Sequence, residues 1–97
     1  MKYEIAFAPE AVRDIRHLQA RLRLMVRDGI ETFLRHAPTT VSKSRIKRLR
    51  GLAKPQFRLR LGEIRVYYDV RESTVEVLAI VPKSEAAEWL QREGRST

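Results

Sequence analysis

A chain of 97 residues with a formal net charge of +8 has room for one hydrophobic core, because two half-sized domains would each bury too little surface to be stable. With no cysteine, 43% hydrophobic and 33% charged residues, it is not a disulfide scaffold, a thiol enzyme or a cysteine-based zinc protein, and its composition is globular rather than disordered. The opening Met1-Lys2-Tyr3-Glu4-Ile5 carries charge where a signal peptide is apolar, and the longest apolar run is Val77 to Val81. Neither a signal peptide nor a membrane span is expected, which fits a single cytoplasmic domain over residues 1–97.

The first element is a strand: Tyr3, Ile5 and Phe7 alternate with Lys2, Glu4 and Ala6, the period of a chain with one apolar face. Pro9 ends it and suits the first turn of a helix. Val12, Ile15, Leu18, Leu22, Met25, Val26, Ile30, Phe33 and Leu34 then follow at spacings of three and four up to Pro38. A single helix over 10–37 would be roughly 42 Å long in a domain about 30 Å across, so a break is expected in the polar stretch His17 to Arg23, giving an antiparallel helical hairpin. Residues 37–44 read as a loop, and Arg45 to Leu52 as a basic connector ending near Gly51.

Two alternating runs come next, Gln56 to Leu61 and Ile64 to Val70, separated by Gly62-Glu63. A glycine-first pair suits a two-residue hairpin turn, and that turn fixes the pairing: Leu61 opposite Ile64, Arg60 opposite Arg65, Leu59 opposite Val66, Arg58 opposite Tyr67 and Phe57 opposite Tyr68. Phe57, Leu59, Leu61, Ile64, Val66 and Tyr68 then face the helices, while Arg58, Arg60, Arg65 and Tyr67 share the other side. Directly opposed arginines repel, so stability gives no reason for them; a bound phosphate does. After a turn at Arg71 to Thr74, the run Val75 to Val81 reads as a central strand buried on both faces. Ser84 followed by Glu85 and Glu88 reads as a capped helix start, with Trp89 and Leu90 on its packing face, and 94–97 as a frayed tail.

The positive charge is focused. Nine basic residues against the single acid Glu63 lie between Lys43 and Arg65, while the rest of the chain balances at eleven of each sign. Focused cations on a small domain point to a polyanion, usually nucleic acid, with an acidic protein as the other choice. His17 and His36 stand apart from any second ligand type, and the four glycines form no phosphate cradle, so no metal or cofactor is expected.

The order of elements, with Lys47-Arg48-Leu49-Arg50-Gly51-Leu52, Phe57 to Tyr68, and Val75 to Val81 followed by Pro82-Lys83, resembles the RelE/ParE toxin superfamily from Tyr3 to about Arg92. The resemblance implies an α+β fold in which a curved, mostly antiparallel sheet, built from the N-terminal strand and a C-terminal three-stranded meander, packs on the N-terminal helical hairpin and ends in a short C-terminal helix. It implies a toxin neutralised by a cognate antitoxin protein in a hetero-oligomer. RelE-like members cleave mRNA in the ribosomal A site without metal, and ParE-like members inhibit DNA gyrase.

Carried over by position, Arg58 and Arg60 match basic residues at the scissile nucleotide and Arg65 the phosphate-binding arginine. Lys83 falls near the general acid, and Trp89 near a base-stacking aromatic. Many active members have lysine at one or both strand positions, arginine after the last strand and tyrosine in the C-terminal segment. That matters chemically, because arginine stabilises phosphorane charge but does not deprotonate, leaving proton transfer to Lys83. Lys47, Arg48, Arg50, Lys54 and Tyr67 complete the expected RNA-binding surface. Trp89 on a short amphipathic helix is also an ordinary core residue. Three readings follow: a ribosome-dependent endoribonuclease, a gyrase inhibitor, and a non-enzymatic RNA-binding module.

Overall fold

The computed structural model describes residues 1–96. Strand β1 (Glu4–Phe7) leads into α1 (Pro9–His17) and α2 (Ala20–Leu34). Strands β2 (Ile46–Arg48), β3 (Leu52–Lys54), β4 (Phe57–Leu61), β5 (Ile64–Arg71) and β6 (Thr74–Pro82) follow, then α3 (Lys83–Glu93) and the two-residue β7 (Arg95–Ser96). The helical break falls at Leu18-Gln19, which have extended backbones and no glycine or proline, inside the stretch where chain length demanded one. The expected helical run to Pro38 is too long: α2 stops at Leu34. The two helices lie mainly on the sheet, α1 over β6 and α2 over β4.

One mixed sheet of five strands runs in the order β1-β6-β5-β4-β2, with β1 parallel to β6 and the other pairings antiparallel. The β4–β5 hairpin has the register that the glycine-first turn dictates, from Leu61 opposite Ile64 to Phe57 opposite Tyr68. Gly62 has φ +59° while Glu63 is not left-handed, the pattern of a turn that needs glycine only at its first position. On the face toward α1 and α2, Leu59, Leu61, Ile64, Val66 and Tyr68 close over Ala11, Val26, Ile30 and Leu34. Each large aliphatic side chain buried there stabilises the fold by about 1.5–3 kcal/mol. Gly29 lets α2 approach β4 closely, since a Cβ there would lie 2.5 Å from the Leu61 side chain. The Tyr68 hydroxyl donates to the Pro38 carbonyl at 2.6 Å and ties down the loop after α2.

The opposite face is half covered. A bulge shifts the β5–β6 register so that Tyr67 pairs with Ala79 and Tyr68 with Val77. The extra residue, Leu78, turns with Ala79 and Val81 toward α3, which packs on them and on Tyr67 through Trp89, Ala86 and Leu90. Three sequence expectations need correction. The basic connector contains β2, an edge strand paired with β4. The tail is not frayed at Arg95–Ser96, which pairs with β3 in a second small sheet; Thr97 lies outside the described residues. Helix α3 begins at Lys83 with Pro82 as its N-cap and without a side-chain cap, so Ser84 does not cap it.

Candidate nucleic-acid interface

Strand alternation places the cations. Lys47 pairs with Arg58, Arg58 with Tyr67, and Arg60 with Arg65, so all four cations rise from the face that α3 leaves open. Lys83 joins them at the hairpin tip: its backbone N–H donates to the Glu63 carbonyl at 2.7 Å, and its side chain is exposed. Among the described residues the ion pairs join Arg35 to Glu31 and Arg92 to Glu88 and Glu93. None neutralises Lys47, Arg58, Arg60, Arg65 or Lys83.

The arginines differ in freedom. Arg60 is exposed. Arg58 is half-buried, with a buried Nε that finds no hydrogen-bond partner among the described residues. Burial, then the neighbouring charge of Arg65, lowers its pKa. Arg65 is only 7% exposed, and its Nη1 donates to the carbonyls of Gly62 at 2.7 Å and Ile64 at 3.1 Å. It therefore braces the hairpin tip with one nitrogen. The phenol of Tyr67 is held above its ordinary pKa by burial, against the opposing pull of Arg58 and Arg65. A crowded set of cations with spare guanidinium donors has the chemistry to hold an anion, since the planar fork of arginine matches phosphate oxygens.

Several expected site residues lie elsewhere. Arg48 points to the helix side, where its guanidinium sits 5.1 Å from the centre of the Phe57 ring; the alternation of β2 puts Lys47 and Arg48 on opposite faces. Lys54 belongs to β3 and lines a cavity of about 190 Å³ with Trp89, Glu93 and Arg95. Arg50 lies in the exposed turn between β2 and β3, beside Lys47 and Leu90. Trp89 is 5% exposed, stacks on Tyr67 with ring centres 4.9 Å apart, and donates from Nε1 to Glu10 at 2.8 Å. Tyr67 and Trp89 are thus core residues of the α3 layer, and neither offers an open ring face to a base. Both histidines lie apart from the cluster, with His17 Nδ1 bonded to the Arg13 carbonyl at 2.7 Å. Among the described residues no group of three or more histidines and acids is placed to hold a metal ion, and no helix is long and apolar enough to cross a membrane.

Comparison with known proteins follows the same architecture. No curated protein gives a significant match. The toxin-antitoxin complex RelBE2 from Mycobacterium tuberculosis contains a chain 26% identical to this one, with a TM-score of 0.70 over 84% of this chain and 99% of that one. A mutant of the E. coli toxin RelE in the free state is similar at 23% identity and TM-score 0.69, covering 94% and 93% of the two chains. The RelE-RelB complex from Pyrococcus horikoshii is similar at 22% identity and TM-score 0.69, covering 86% and 97%. The family model for the ParE toxin of type II toxin-antitoxin systems matches residues 5–87, and the chain therefore belongs to that toxin family, within the RelE/ParE superfamily and with a RelE-like fold.

Proposed function

We propose that this toxin inhibits translation in the cytoplasm as a metal-independent, ribosome-dependent mRNA endoribonuclease, and that a cognate antitoxin neutralises it by binding. The observation that carries the reading is the group of Lys47, Arg58, Arg60 and Arg65 on one sheet face with no carboxylate partner among the described residues. Like charges held together cost stability unless a ligand neutralises them. In this reading Arg58 and Arg60 grip the scissile phosphate and stabilise the phosphorane, and Arg65 adds charge while bracing the hairpin tip. Lys47 and Arg50 carry the flanking RNA backbone. The ribosome holds the strand so that the 2′-hydroxyl attacks the phosphorus in line and gives its proton to water, while Lys83 protonates the 5′-oxygen as the P–O5′ bond breaks.

The test is primer extension on a reporter message in a purified translation system, comparing wild type with Arg60→Ala, whose exposed side chain can be removed without opening the core. Cuts at codon-spaced positions that need ribosomes and fade in the variant support the nuclease. An intact message and normal protein output remove it. A second reading, inhibition of DNA gyrase, is favoured by the ParE family match and by the burial of Tyr67 and Trp89, which closes both of these rings to an RNA base. Loss of supercoiling activity on adding the toxin to purified gyrase, with messages left uncut, would establish it.

A further inference from the structure

Tyr67 and Tyr68 are neighbours on β5 that face opposite sides of the sheet, and the fold uses their hydroxyls differently. The Tyr68 hydroxyl donates to the Pro38 carbonyl at 2.6 Å, and the buried indole of Trp89 likewise has Glu10 as its acceptor. Tyr67 is 2% exposed, yet its hydroxyl makes no hydrogen bond among the described residues. An unpartnered phenol in the interior costs stability, and a phenylalanine would offer Trp89 the same ring. The hydroxyl is not sealed in, however. Among the described residues the side-chain nitrogen or oxygen that is both fully buried and unpartnered is Arg58 Nε, so the small exposure that Tyr67 keeps reaches its oxygen.

The surroundings of that oxygen are positive. Arg58 stands directly opposite Tyr67 on β4, and Arg65 precedes it by two residues on the same face of β5. Burial raises the pKa of the phenol and the charges of Arg58 and Arg65 oppose the rise, so both guanidinium groups act on the oxygen while its proton stays in place at neutral pH. Stacking on the Trp89 ring, 4.9 Å away and 7° from parallel, holds the phenol by packing. Arg58 and Arg65 carry donors only, so neither can accept the hydroxyl proton in a hydrogen bond. The missing partner is therefore an acceptor, and a phosphate brings acceptor oxygens to guanidinium groups.

We propose that the Tyr67 hydroxyl is a further catalytic group, donating to a non-bridging oxygen of the phosphate held by Arg58 and Arg65 and gripping it harder as the phosphorane forms. This inference rests on the endoribonuclease reading. The phenol keeps its proton throughout: the bond from the 2′-oxygen to phosphorus forms, the P–O5′ bond breaks, and Tyr67 stabilises the charge that gathers on the non-bridging oxygen in between. A donor already fixed by its neighbours needs no reorganisation when that charge appears, which is why such groups favour the transition state over the bound message. The ring of Tyr67 thus belongs to the core of the α3 layer and its oxygen to the cation cluster.

The experiment is single-turnover cleavage of a reporter message in the purified translation system, with wild type and Tyr67→Phe each at saturating concentration. Tyr67→Phe keeps the ring on Trp89 and removes an unpartnered hydroxyl, so its melting temperature is expected to equal or exceed that of wild type. Its cleavage rate is expected to fall by about 100-fold, while affinity for ribosomes carrying an uncleavable message, with 2′-deoxyribose at the cut site, changes by less than about threefold. Sulfur in place of one non-bridging oxygen of the scissile phosphate is a weaker acceptor. In one of the two diastereomers it is expected to slow wild type more than Tyr67→Phe, a difference that a purely structural role would not produce. Cleavage by Tyr67→Phe at the wild-type rate, or a slower rate with the same sulfur penalty as wild type in both diastereomers, would overturn the proposal and leave the nuclease reading standing. A message that wild type itself leaves intact would remove that reading and this inference with it.

Discussion

The two faces of the β4–β5 hairpin are built from alternate residues of the same strands and obey opposite rules. Toward α1 and α2, Leu59, Leu61, Ile64, Val66 and Tyr68 are all buried, and the buried Tyr68 hydroxyl has a partner. Toward the other side, Arg58, Arg60 and Arg65 crowd together beside Tyr67, and Arg58 keeps a buried nitrogen without one. A fold that needed both faces for stability would not tolerate the second arrangement. One face therefore holds the domain together, while the other carries cations that no carboxylate among the described residues neutralises, and the proposed RNA ligand would supply that negative charge.

Substitutions can sharpen or break that contrast. The largest stability effect is expected on the closed face: Leu59→Ala should cost about 2–5 kcal/mol, which thermal unfolding will register as a drop of about 4–8 °C for each kcal/mol in a domain of this size. Arg58→Met on the open face should do the reverse, leaving the melting temperature equal or higher while lowering cleavage in the reconstituted translation assay by about 100-fold or more. If Arg58→Met unfolds the protein, the two faces are not divided in this way.

A smaller effect belongs to the covered half of the open face. Glu10→Ala strands the buried Trp89 Nε1–H and should cost about 1–3 kcal/mol, seen as faster amide exchange along α3 with little change in the cleavage of saturating message. The smallest effect concerns pH. Burial raises the Asp14 pKa from its ordinary 3.8, against the bond from Ile80 N–H that lowers it. The folded chain thus binds this proton more tightly than the unfolded chain does, and stability is lost as pH rises through the raised value. Asp14→Asn keeps an acceptor for Ile80 and removes that loss. Its advantage over wild type in urea unfolding should therefore grow from pH 3 to pH 7; a constant difference would contradict the assignment.

The hairpin was legible in the sequence because Gly62-Glu63 fixes both turn and register, and a two-residue period then sorts every side chain. The need for a helical break was legible from length and its place from the polar stretch His17 to Arg23, although Leu18-Gln19 offer no glycine or proline to mark the turn. Strands β2, β3 and β7 were not legible: two or three residues are too few to show a period, and β2 hides in a run whose charge dominates its reading. That omission put Arg48 on the wrong side, because only pairing with β4 reveals that Lys47 and Arg48 diverge. The base-stacking role for Trp89 failed for a related reason. Its partners Tyr67 and Glu10 lie 22 and 79 residues away along the chain, and only the fold brings them to it. Arg65 was found by position, but its brace to Gly62 and Ile64 depends on a turn geometry that residue type does not encode.

The measurement that bears most directly on the open face is the salt dependence of affinity for a short single-stranded RNA, taken for wild type and for the Lys47→Ala, Arg58→Ala, Arg60→Ala triple variant. Each phosphate contact on a single strand contributes about 0.7 to the slope of log affinity against log salt, so loss of three should flatten the slope by about 2 while the fold persists. Equal slopes in the two proteins would mean that these cations do not meet the phosphate backbone, and the account of the open face would be wrong.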